Sequence, residues 1–245
     1  MGASSMNAFA MRSLPVFFFL PPHPQVSGAL CLHAIYMLSG VPLPTRTLPA
    51  VVVFDLDWTL WRRPRFRVGP PWTAIDDGRG GIRSACGEVV TVFDGSREAL
   101  LRLADAGVPV SVASRTHRQQ WALDWMTMLR LDDTRTLADV IGQSPVVLRD
   151  GPKSLHLREI AARTSVPFDR MLYFDDSYSD LLHAEELGVM AVHCPASHGV
   201  ARDLFCEALQ RFAENGATRH AAHGRLQHRN SASRRQRRRS QRGAG

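Results

Sequence analysis

Residues 51 to 60 read Val-Val-Val-Phe-Asp-Leu-Asp-Trp-Thr-Leu, a largely β-branched apolar run that stops at two acids spaced i, i+2. The run lacks the alternation of a half-solvated strand, so it fits a parallel strand covered on both faces. Open α/β sheets keep their ligand sites at the C-terminal ends of such strands, which places Asp55 and Asp57 at the working edge of a sheet. Two carboxylates held side by side away from water push one another toward the protonated form, and a bound cation removes that cost. Oxygen ligands favour a hard divalent ion over a soft one. A lone Asp after a strand often does no more than cap a loop. Asp-x-Asp-x-Thr directly after four apolar residues, with partners further along the chain, points to a site.

Downstream, Ala99, Leu100, Leu103 and Ala104 recur at helical spacing between Ser96 and Ala106, and Gly107 closes that helix. Val108 to Ala113 reads as a second buried strand, followed by Ser114-Arg115-Thr116. Residues 117 to 131 look helical, and their Trp121 and Trp125 are read as core rather than as a binding surface. A helix from Lys153 to Ala162, a strand from Met171 to Phe174 ending in Asp175-Asp176, a helix from Ser179 to Leu187, a strand from Val189 to His193 and a helix over 200 to 213 complete the pattern. Strands alternating with helices predict an α/β fold with a doubly wound, Rossmann-like parallel sheet. Residues 62 to 93, rich in Arg, Gly and Pro, read as a minimal cap insertion: a loop with a small hairpin standing over the first strand's end.

At 245 residues the chain holds one such domain, expected over 49 to 215, with an extension at each side. The net charge of +7 comes from the tail: nine of the 30 basic residues lie between Arg219 and Gly245, where there is no acid, and the other 21 face 23 acids. The tail over 216 to 245 reads as disordered, and weak docking on RNA or another polyanion is the alternative function it offers. Residues 1 to 48 contain no Asp, Glu or Lys. That composition is compatible with an organelle transit peptide and equally with a mis-started extension. Its best apolar stretch is interrupted by Ser27, His33 and Ser39, so no membrane span is expected. Cys31, Cys86, Cys194 and Cys206 show no Cys-x-x-Cys spacing and read as reduced thiols of a cytoplasmic monomer, or of an organelle protein if the extension is a transit peptide.

The segments Phe54-Asp-Leu-Asp-Trp-Thr-Leu-Trp61, Gly107-Val-Pro-Val110, Ala113-Ser-Arg-Thr116, Val166-Pro-Phe168, Phe174-Asp-Asp176 and Leu187-Gly-Val189, with Lys153 between them, resemble the haloacid dehalogenase superfamily of phosphohydrolases. The resemblance covers about residues 49 to 213. It implies a Mg²⁺-dependent phosphomonoesterase whose nucleophile is Asp55 and whose intermediate is an aspartyl phosphate, acting on phosphotyrosine-type phosphopeptides or phosphorylated sugar adducts. Asp57 is implied as general acid and base and, through its backbone carbonyl, as a metal ligand; its presence favours phosphate esters over halides, which leave without a proton. The implied phosphate contacts are Leu56, Asp57, Ser114, Arg115 and Lys153. The implied metal ligands are Asp55, Asp57 and Asp176, with Asp175 as an adjacent ligand or hydrogen-bond acceptor and Asp180 as a water-bridged ligand or a helix cap. Asp180 stands where Asn is usual, and Trp58 where Tyr is more common. Lys153 is the chain's only lysine among 30 basic residues, which marks a position that wants a compact ammonium rather than a planar fork. Phosphonate hydrolysis would need a second lysine. The stretch 131 to 152 is longer and more divergent than the resemblance implies, which leaves the approach to Lys153 open.

Overall fold

The structure, a computed structural model, describes residues 48–62, 69–75 and 78–216. The expectations for the acid-free extension and the arginine-rich tail fall outside these residues, Leu48 and Gly216 apart. In chain order the elements are β1 (Val51–Phe54), three short strands β2 (Thr73–Ala74), β3 (Ile82–Arg83) and β4 (Val89–Val90), then α1 (Asp94–Asp105) and β5 (Val110–Ser114). They continue with α2 (Gln119–Met128), α3 (Leu137–Ile141), β6 (Val146–Leu148), α4 (Lys153–Thr164), β7 (Met171–Asp175), α5 (Tyr178–Glu185) and β8 (Met190–His193). A last helix, α6, covers residues 202–216.

The main sheet is parallel, in the order β6-β5-β1-β7-β8. The chain runs outward from β1 through β5 to β6, then returns to β1's other side and continues through β7 to β8. The winding reverses at β1, and a crevice opens there beyond the strand ends. The absence of polar alternation in β1 follows from its surroundings. Val52 and Phe54 enter a core built with Leu100 and Leu103 of α1, Trp125 of α2 and Phe205 and Phe212 of α6. Val51 and Val53 enter the opposite core with Leu157 and Ile160 of α4 and Leu181 and Ala184 of α5. Each fully buried side chain of this size contributes roughly 1.5–3 kcal/mol, so the sandwich fixes β1 and with it the position of Asp55.

Two elements lie where the sequence reading placed none. The stretch 131 to 152 holds α3 and the edge strand β6, which make the sheet five-stranded rather than four-stranded. The cap segment forms a three-stranded antiparallel sheet, β2-β3-β4, rather than a hairpin. Arg97 of α1 ties this region to the domain, donating to the carbonyls of Leu131 at 2.9 Å, Arg130 and Arg79.

His156 of α4 is wholly buried, and neither ring nitrogen has a hydrogen-bond partner among the described residues. Burial, helped by the nearby positive charges of Lys153 and Arg149, pushes its pKa down to about 4. The unfolded chain binds a proton at this residue below about pH 6.5, so between these limits the unfolded state holds more protons and stability drains away as pH falls. His156→Leu removes that linkage. Its melting temperature should drop less than the wild type's between about pH 7 and pH 5; an equal drop in both proteins would contradict the assignment.

Candidate active site

The crevice beyond β1 is a cavity of about 620 Å³ lined from every strand end that faces it. Asp55 follows β1, Ser114 closes β5, Asp175 closes β7 and Asp176 follows it, so the sheet's register alone brings them together. Lys153, the first residue of α4, reaches in from one side with 1 % of its surface exposed. Its ammonium donates to Asp55 Oδ1 at 2.6 Å, to the Ala113 carbonyl at 2.6 Å and to Asp175 Oδ2 at 3.0 Å. These partners exhaust its three donors. Burial alone would lower the lysine pKa, but Asp55 and Asp175 outweigh it and hold the ammonium charged.

The acids outnumber that single cation. Oxygens of Asp55, Asp175 and Asp176 lie within 4.8 Å of one another. Burial raises the Asp55 pKa to about 7; Lys153 opposes the rise, while Asp175 and Asp57 add to it. Burial and Asp175 raise Asp176 as well. A group of hard oxygen donors carrying more negative charge than its lysine neutralises fits a divalent cation such as Mg²⁺. Asp175 is also held from three sides: Tyr173 Oη donates to its Oδ2, Lys153 to the same oxygen, and the Ser177 amide to Oδ1 at 2.8 Å. That favours its reading as a hydrogen-bond acceptor that orients its neighbours, beside Asp176.

The other expected residues divide. Leu56 packs in the core and also borders the cavity. Ser114 and Arg115 line the cavity. Arg115 is held by Asp180, Nη2 to Oδ2 at 2.9 Å. Asp180 is thereby engaged by a guanidinium, and its carboxylate stands outside the Asp55-Asp175-Asp176 group. Asp57 also stands outside that group. Its Oδ1 accepts a hydrogen bond from Trp61 Nε1 at 2.9 Å. Trp58, between the motif acids and Thr59, adopts a left-handed φ of 66°, which folds residues 56 to 61 into a tight turn with Leu60 N bonded to Leu56 O at 2.9 Å.

Trp125 is buried as expected, yet with Trp58, Trp61 and Trp121 it also lines the cavity. Trp72 packs edge-on against Trp121 and Trp125 at 5.5 and 5.1 Å, so all five tryptophans of the chain gather at this site. No described residue between 69 and 90 lines the cavity itself. Besides the Arg115–Asp180 pair, two contacts escaped sequence reasoning. The Trp61 bond spans four residues of a turn, not of a helix, and the Tyr173 bond depends on the β7 strand end; the only signal for the second was a hydroxyl in an otherwise apolar strand.

A parallel sheet carrying an acid pair after its central strand, a buried lysine and a second acid pair after the neighbouring strand is the arrangement that the sequence resemblance implies, at the edge where open α/β sheets bind their ligands. The family described as acid phosphatase matches residues 47–215, and the chain belongs to it. Magnesium-dependent phosphatase 1 of Homo sapiens is 29 % identical over 170 residues, covering 68 % of this chain and 89 % of that protein. A HAD-like hydrolase superfamily protein of Schizosaccharomyces pombe is 28 % identical over 145 residues, 58 % of this chain and 83 % of that protein. The resemblance to the haloacid dehalogenase phosphohydrolases therefore holds. Among solved structures, the N-terminal part of a Bacteroides fragilis protein, containing a phosphatase domain complexed with Mg, has a TM-score of 0.43 and 17 % identity over 73 % of this chain and 44 % of that chain.

Proposed function

We propose that this phosphatase is a Mg²⁺-dependent phosphomonoesterase that works through an aspartyl phosphate on Asp55. The observation that carries the reading is the position of the Asp55 carboxylate: on the central strand's end, gripped by the only lysine at 2.6 Å and grouped with Asp175 and Asp176. Asp55 attacks phosphorus in line with the ester oxygen, which departs, and a carboxylate serves because its mixed anhydride is readily hydrolysed. Lys153 holds the attacking oxygen and balances charge on the phosphorylated side chain. Ser114 and Arg115 receive the non-bridging phosphate oxygens. Asp57 gives its proton to the leaving oxygen and then takes one from the water that hydrolyses the intermediate, a role worth roughly 10² to 10⁴ in rate. Mg²⁺, held by Asp55, Asp176 and the Asp57 backbone with Asp175 adjacent, would supply charge screening between nucleophile and phosphate. A cavity of about 620 Å³ that no described cap residue lines suits bulky leaving groups, such as a phosphotyrosine side chain or a phosphorylated sugar adduct.

Hydrolysis of p-nitrophenyl phosphate with Mg²⁺ and with excess EDTA tests this. Activity should vanish in EDTA and return with Mg²⁺ but not with Ca²⁺, whose larger coordination sphere does not suit a compact site. Full activity in EDTA would reject the proposal.

A further inference from the structure

Arg115 follows β5, and Asp180 lies in the first turn of α5, the helix that follows β7. β5 and β7 flank β1 on opposite sides, so the ion pair from Arg115 Nη2 to Asp180 Oδ2 at 2.9 Å joins the two sides of the crevice. The partners are unequal. The Asp180 side chain has 2 % of its surface exposed and the Arg115 side chain 48 %. Asp180 Oδ1 has no hydrogen-bond partner among the described residues, and His183 Nδ1 stands 3.7 Å from it. A buried carboxylate so placed depends on Arg115 for compensation, which makes it a firm anchor for a side chain that solvent would otherwise leave free. An acid in a helix's first turn is favourable on its own, but that does not require burial beside a guanidinium.

We infer that Asp180 is a positioning residue for phosphate binding: it holds Arg115 across the crevice, in the place where the guanidinium meets the non-bridging oxygens. This deepens the role proposed for Arg115 and rests on it. The carboxylate acts on phosphate in two opposed ways. Its charge repels the anion, and its grip spares the long arginine side chain the rotamer freedom that binding would otherwise remove. The repulsion is weak, because the guanidinium already neutralises the acid and water reaches the arginine's side of the pair. Ordering a free arginine side chain, by contrast, costs about tenfold in affinity. The grip wins.

Inorganic phosphate is the probe, its dissociation constant read by calorimetry on the Mg²⁺-loaded protein. Arg115→Ala should raise that constant about tenfold or more, the size expected for a lost contact between charged groups. Asp180→Asn keeps the side chain's size, removes its charge and should raise the constant by up to about tenfold. In the Arg115→Ala background the same change should add nothing, whereas a merely structural role would weaken phosphate binding in both backgrounds. The Mg²⁺ dissociation constant should be the same in Asp180→Asn and the wild type. If the asparagine variant does not fold, Asp180→Ser carries the same test. With the constant raised in Arg115→Ala, an unchanged or lower constant in Asp180→Asn, a rise that persists in the double variant, or a weakened Mg²⁺ affinity would overturn the inference and leave the Arg115 contact standing. No rise in Arg115→Ala would overturn that contact and the inference with it.

Discussion

Asp55→Asn lowers kcat by at least about 10⁴-fold, the scale seen when a covalent nucleophile is removed, while leaving the protein folded. The two halves of this expected result have separate causes. The amide cannot form the mixed anhydride, so turnover has no covalent route. The same change removes a carboxylate that burial, Asp175 and Asp57 all push toward protonation. Lys153 keeps its bonds to Asp175 and the Ala113 carbonyl, and the melting temperature should stay level or rise. Activity and thermal unfolding of one preparation check both. A variant retaining a tenth of wild-type activity would exclude Asp55 as nucleophile.

Lys153→Met has the opposite signature, losing stability and activity together. The methionine fills much the same volume but leaves Asp55 and Asp175 facing one another in a buried site with no ammonium. Breaking a buried ion pair from one side costs about 3–5 kcal/mol, or roughly 10 °C in melting temperature for a domain of this length. Protonation of Asp55 limits that loss, since its pKa already lies near 7. Mg²⁺ should restore part of the stability in Lys153→Met, because it brings positive charge to the same acids, without restoring turnover. Calorimetry with and without Mg²⁺ measures this. An unchanged melting temperature would show that the lysine carries little of the site's charge balance.

What the sequence made legible follows from which physical signals are local. β1, β5 and β7 are runs buried on both faces, which removes the ambiguity that alternation would introduce, while the edge strand β8 was legible from its apolar Met190-Ala191-Val192 after Gly188 although only Val192 is buried. Asp55, Lys153 and Asp175-Asp176 were readable because each sits one step from a strand end or a helix start. α3 was not found because five residues give too little periodicity, although Thr136 and Asp139 form a capping box that announces a helix start. β6 is three residues long and only its middle residue, Val147, is buried, so it has almost no pattern to read. The two-residue strands β2, β3 and β4 are shorter than any alternation test. Pairings such as Arg115 with Asp180 and Tyr173 with Asp175 depend on where separate elements pack and which way neighbouring side chains turn. A spacing rule does not carry that information.

In the proposed mechanism the phosphoryl group passes onto the Asp55 carboxylate. Rapid acid quench of the Mg²⁺-loaded enzyme during turnover, followed by peptide mapping by mass spectrometry, reads this directly. A phosphoryl mass on the peptide containing Asp55, lost on hydroxylamine treatment and missing from Asp55→Asn, is the predicted result. Phosphate found on any other side chain, or undiminished labelling in Asp55→Asn, would contradict it.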